Sequence, residues 1–179
     1  MAINTLGDLL AHEVKDIYSA EQQIIKALPQ MAAGANHSGL KKAFEEHLVM
    51  TRGQVERLET IFAEMDEKPT GKKCKGMEGL IEEGKELLKE KADPDVLDAG
   101  LIGAAQKVEH YEISGYGTAR TLAGQIGRPE IALLLNKSLA EEEVTDNLLT
   151  QIARELMSQS RELVSAGREG AGAPVRRRK

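Results

Sequence analysis

The chain has 179 residues, enough for one domain with a real core. Hydrophobic residues make up 41% and charged residues 30%, which suits amphipathic helices, while 3% aromatics and no tryptophan leave a β-sandwich or barrel short of its usual residues. The net charge of −5 argues against nucleic acid as the main partner. No apolar run approaches the roughly 20 residues of a membrane span. "MAINTLGDLL" carries no basic region or cleavage site, so no signal peptide is expected. Cys74 is the only cysteine, which rules out an internal disulfide and points to the cytoplasm.

The first predicted helix runs from Thr5 to Ala33. Leu6, Leu9, Leu10, Ile17, Ala20, Ile24, Leu28 and Met31 recur at helical spacing, and Pro29 is expected to kink its end. "GANHSG" makes the turn, with Ser38 as the expected N-cap. The second helix spans Gly39 to Met65, with His47 among its apolar positions between Phe44 and Thr51. "DEKPTGKKCKG" is a loop, and a short helix follows from Met77 to Lys91. "ADPDV" starts the third long helix, with Asp93 as N-cap and Pro94 in the first turn; it ends at Ile126 before Gly127. Pro129 opens the fourth, which continues to Ala166. Residues 1–166 are thus one bundle, and 167–179, "GREGAGAPVRRRK", are an expected disordered basic tail.

The short connections make two antiparallel hairpins. The long link between them, about 27 residues, can run the roughly 40 Å length of a helix at 1.5 Å per residue. This is an all-α, ferritin-like four-helix bundle with one crossover.

In that bundle Glu109 and Glu112 fall on the stripe of Leu101, Ala105, Val108 and Tyr116. Residues equidistant from a hairpin turn face each other. Glu112 with Glu143, and Glu109 with Asp146, are each centred on the Gly127–Arg128 turn. The first hairpin brings Glu21 and His47 to nearly the same level. Glu142 competes with Glu143 for the inward position. Glu13, Glu45 and Glu46 read as surface residues. Carboxylates gathered in a core must be protonated, paired or metal-bound, and no lysine or arginine lies on these stripes. Oxygen ligands with one imidazole suit iron or manganese, and two ions can share bridging carboxylates. The expected metal residues are Glu21, His47, Glu109, Glu112, Glu143 and Asp146.

The segments "DIYSAEQQIIKALPQMA", "FEEHLVMTRGQVERLE", "CKGMEGLIEEG", "AAQKVEHYEISGYGTARTLA" and "LLLNKSLAEEEVTDNLLTQIA" resemble the YciE/YciF family of bacterial stress-response proteins. The resemblance covers residues 3–160 and implies a ferritin-like fold, a homodimer and the same six metal residues. The sequence departs from the usual pair of Glu–x–x–His motifs: Asp146 and Phe44 stand where histidine and a bridging glutamate are expected.

Three functions follow as expectations. One is a di-metal carboxylate centre that handles oxygen, peroxide or iron, with Tyr18 near Glu21 as a packing residue or hydrogen-bond partner. Another is a non-enzymatic structural or interaction module whose acids are protonated or bonded to Gln54, Thr51 and tyrosines. A third is phosphate contact through "RRRK" on nucleic acid, against the simpler reading of a solvated tail. Leu9 and Ile25, or Leu80, Ile81 and Leu87, are the candidates for apolar surface that a partner chain covers.

Overall fold

The computed structural model describes residues 3–70 and 72–170, with side chains as far as Ser158. Five helices follow in order: α1 Leu6–Gly34, α2 Ser38–Glu64, α3 Lys75–Leu87, α4 Pro94–Gln125 and α5 Pro129–Gly170. Thr5 and Asp8 close a capping box on α1: the Asp8 amide donates to Thr5 Oγ1 (3.0 Å) and the Thr5 amide to the Asp8 carboxylate (2.9 Å). Pro29 lies inside α1, which continues through it. Its exposed position lets water satisfy the carbonyl that lacks a helical donor.

The α2 cap differs from expectation. Ser38 is the first helical residue, and the imidazole of His37 accepts from the Leu40 amide (3.3 Å). Asp98 explains the shift. Its buried carboxylate on α4 accepts from the amides of Asn36 (2.9 Å) and His37 (2.6 Å), which fixes the turn one residue early. Cys74 caps α3, its sulfur accepting from the Met77 amide (3.4 Å). Asp93 and Pro94 start α4 as the sequence indicates, and Gly127, just past its end, takes the left-handed φ of 73° in the hairpin turn. Helix α5 runs to Gly170, four residues past the expected end, and the rest of the basic tail lies outside the described residues.

Helices α1, α2, α5 and α4 form the square, each packed on the next, and α3 lies across α1 and α4. Asp98, near the start of α4, meets the end of α1; His47–Thr145 and Arg57–Ser138 pair α2 with α5 in opposite order. Neighbours are therefore antiparallel, as the long crossover requires. The core divides in two. One half gathers Ile24, Leu28, Leu40, Phe44, Leu101 and Leu149 beneath α3. The other gathers Leu10, Ile17, Leu58, Phe62, Tyr116 and Leu135. Between them each long helix contributes buried polar residues: Glu21; His47, Thr51 and Gln54; Glu109 and Glu112; Glu142 and Thr145.

Leu9, Leu80, Ile81 and Leu87 pack against these cores and, like Ile25, are half-buried. The exposed large apolar residues lie elsewhere, with Leu133, Val144 and Leu148 spaced along α5.

Candidate metal centre

The polar layer is built by helix periodicity. On α4, Glu109 and Glu112 are three positions apart, so both stay on the buried stripe that runs from Ala105 to Tyr116. On α5, Leu135, Ser138, Leu139, Glu142, Thr145 and Leu149 follow the same spacing. Glu142 is fully buried, and Glu143, about 100° further round the helix, is exposed.

Ligand atoms of His47, Glu109, Glu112 and Glu142 lie within 4.8 Å of one another. His47 Nε2 is 3.5 Å from Glu109 Oε1 and 3.8 Å from Glu142 Oε2. The imidazole's other nitrogen faces Thr145. The Thr145 hydroxyl gives its one hydrogen to the Glu141 carbonyl (3.1 Å), so it can only accept from His47 Nδ1 (3.4 Å). Nδ1 then carries the proton, and Nε2 presents a lone pair to two carboxylates. Burial favours that neutral ring and takes His47 down to about 4.

The acids are affected the opposite way. Burial first, then neighbouring carboxylates, holds Glu109 and Glu112 well above the usual carboxylate range. Burial pushes Glu142 up to about 7, against the hydrogen bonds that partly hold its charge. Glu21 is raised by burial and by Glu142, and the Tyr116 hydroxyl donates to it. Gln54 donates its amide to Glu142 and Glu141. The cation whose charge reaches this layer, Arg57, forks onto Glu141 at 2.6 and 2.8 Å and does not enter it. What remains unpaired is specific: Glu21 Oε2, His47 Nε2, Gln54 Oε1, Glu109 Oε2, both oxygens of Glu112 and Glu142 Oε2. Asp98 shows the contrast, since that buried carboxylate takes two backbone amides. Acceptors facing acceptors in a dry core call for protons or a cation between them. This donor set fits a divalent transition metal.

Of the six residues expected from sequence, His47, Glu109 and Glu112 come together. Glu21 adjoins Glu112 and Tyr116 on the far side of the layer and does not meet His47. Its hairpin partners explain this. Tyr18 bonds Glu59 (3.1 Å), a pair centred three residues beyond the Ala35–Asn36 turn, so Glu21 lies nearer the level of Gln54. Glu143 is exposed and gives way to Glu142. Asp146 is half-buried outside the cluster, where it accepts from Gln106 (2.9 Å) and sits 3.4 Å from His110. Tyr18 stacks edge-on against Phe62 and does not touch Glu21; Tyr116 takes that role. Thr51 bonds the His47 carbonyl, not a carboxylate. Thr145 and its hold on His47 had no sequence signal beyond its place two turns from Ser138.

The family model described as a domain of unknown function, DUF892, matches residues 5–162. The chain belongs to this family. It is 45% identical over 154 residues to protein YciF of Escherichia coli, covering 86% of this chain and 93% of that one. The crystal structure of that stress protein superposes with a TM-score of 0.85 at 43% identity, covering 87% of this chain and 99% of the other. YcfI of Rhodopseudomonas palustris, described as a candidate structural protein, gives 0.80 at 43% identity over 83% and 94%. A two-domain protein of Anabaena variabilis, with DJ-1/ThiJ/PfpI-like and ferritin-like domains, gives 0.56 at 15% identity; the match covers 98% of this chain and 41% of that one, and it speaks to the fold alone. The ferritin-like bundle and the YciF resemblance both stand. No described helix is long and apolar enough to cross a membrane.

Proposed function

We propose that this protein holds iron or manganese in the polar layer and uses it in a bacterial stress response, reacting with dioxygen or peroxide. The observation that carries this reading is the His47 Nε2 turned toward Glu109 and Glu142, 3.5 and 3.8 Å away, and left without a hydrogen-bond partner of its own. His47, Glu109, Glu112 and Glu142 would hold the first ion. Glu21 and the shared Glu112 would hold a second, and Tyr116 fixes the Glu21 carboxyl. Four carboxylates carry four negative charges, which two divalent ions balance. A bound redox metal supplies the electrons for oxidant chemistry; the chain's part is to orient ligands and exclude water. Elemental analysis of protein purified without chelator tests this, with one to two iron or manganese atoms expected per chain. A count near zero that persists after anaerobic reconstitution removes the reading. Sedimentation of the same sample checks the homodimer, for which the line of Leu133, Val144 and Leu148 is the proposed contact.

A second reading is a structural module, and one observation favours it: Tyr116 and Gln54 already donate to Glu21 and Glu142. Protonated acids could complete such a network without metal, and the description of the Rhodopseudomonas relative points the same way. The two readings part on whether added metal raises stability.

A further inference from the structure

A cavity of about 50 Å³ beside α3 includes His47 and Glu109 of the polar layer in its lining. Its lining ranges from exposed Gln30 and half-buried Lys85 to buried His47 and Glu109. Between them the walls are apolar, with Met31, Gly84, Ala104 and Val108 facing one another. Gly84 is the informative residue. At Gly34 and Gly100 an added Cβ would meet a terminal methyl of Leu88 or Leu87, which would have to move aside. At Gly84 a Cβ would sit 3.7 Å from the Met31 sulfur and 3.9 Å from the Ala104 Cβ, in ordinary contact. Helical glycine weakens a helix, and neither packing nor a left-handed backbone asks for it here. What the missing side chain leaves is space along the route to His47.

We propose that this passage, roofed by the crossover helix, admits dioxygen to the His47 side of the polar layer. The proposal rests on the metal reading for its purpose and names the small molecule that reaches that centre. The cavity is well below the ~150 Å³ of an apolar cavity that accepts benzene, so acyl chains and aromatic rings are excluded. Hydrogen peroxide and water would leave hydrogen-bonding groups unpaired against these walls, whereas dioxygen has none to satisfy. The opposite approach is closed: Leu58, Tyr116 and Leu135 pack fully buried below Glu21.

The test uses the whole metal-free chain in water equilibrated with dioxygen under pressure, reading the paramagnetic relaxation of methyl protons by NMR. Strong relaxation is expected at Val108 and Met31, and little at Ala119 in the closed half. Gly84→Leu and Ala104→Met, placed on opposite walls, should each abolish the relaxation at Val108, while Gly84→Ala keeps most of it. The proposal is overturned if Val108 relaxes no more than Ala119, or if both blocking variants fold and relax Val108 as the wild type does. Metal content is measured separately on each preparation. Metal without dioxygen contact refutes the passage alone, and dioxygen contact without metal refutes the metal reading alone.

Discussion

The two halves of the core differ in a way that the outline of the bundle does not reveal. Below the polar layer, Leu10, Leu58, Ile61, Phe62, Tyr116 and Leu135 are buried to 2% exposure or less. Above it, Leu40, Met77 and Leu101 are as deeply buried, but a cavity lined by Gly84, Ala104 and Val108 reaches His47, and a fifth helix supplies the cover. The closed half positions Glu21 through Tyr116; the open half leads to His47. The lesson is that one end of the layer is built as support and the other as access.

The largest expected effect comes from removing the charges that separate the halves. Glu112→Gln with Glu142→Gln should abolish metal binding, read by elemental analysis. In metal-free protein at pH 8 the same pair should raise stability, because neutral amides replace two carboxyls whose charged forms burial disfavours. Denaturant unfolding with and without metal gives both numbers. A double variant that still takes up metal like the wild type would place the site elsewhere.

Next, the halves themselves can be compared by truncation. Leu58→Ala in the closed half should cost about 2–5 kcal/mol, because a fully buried leucine leaves a cavity that cannot collapse. Leu80→Ala, beside space that already exists, should cost less than half as much. Equal losses would mean that the open half is packed as tightly as the closed one.

Why the sequence revealed one half of the site better than the other is a matter of geometry. Spacing along a helix is reliable, so Glu109 and Glu112 were found together, and so was the general level of α5. Gln106 bonds Thr150 (3.0 Å) and Arg120 bonds Asn136 (2.9 Å), both pairs centred on Arg128, as the turn indicates. Rotation about the axis is harder. Three glutamates in a row, Glu141 to Glu143, offer any of three directions, and only the buried run through Ser138 and Thr145 selects Glu142. Asp146 continues the spacing from Glu142 but lands on the seam with α4, where Gln106 claims it. Glu21 sits off the level that the loop's centre indicates, since Asp98 holds that loop from one side. Caps built from His37 and Cys74 escape the usual preference for serine and aspartate, since here tertiary contacts choose the cap.

The acids in the layer also set how the metal-free protein responds to pH. Glu21, Glu109, Glu112 and Glu142 all titrate higher when folded than when unfolded. A raised pKa means the folded state keeps protons that the unfolded state has released. Their stabilisation is therefore complete below the unfolded value, near 4.5, and lost as pH rises through the folded values, about 7 for Glu142. His47, lowered to about 4, acts oppositely and favours folding as pH rises toward 6.5. Four acids outweigh one imidazole, so the melting temperature of metal-free protein should fall from roughly pH 5 to pH 8. Saturating metal should remove or reverse the slope. A metal-free melting temperature that climbs over this range would show that the carboxyls are not held protonated by burial.

The smallest effect tests the hinge between the halves, Thr145. Its hydroxyl is committed to the Glu141 carbonyl and so fixes the proton of His47 on Nδ1. Groups that orient a ligating histidine this way are worth about 10–100-fold in metal affinity. Thr145→Val removes the acceptor and leaves a buried N–H unpaired, so metal should bind more weakly by a factor in that range. Thr145→Ser restores the hydroxyl and should recover most of the loss. Volume barely changes in the valine variant, so a loss that serine rescues belongs to the hydrogen bond and not to packing. If valine and wild type bind alike, the ring is held by the carboxylates themselves. The histidine would then be oriented by Glu109 and Glu142, with no help from Thr145.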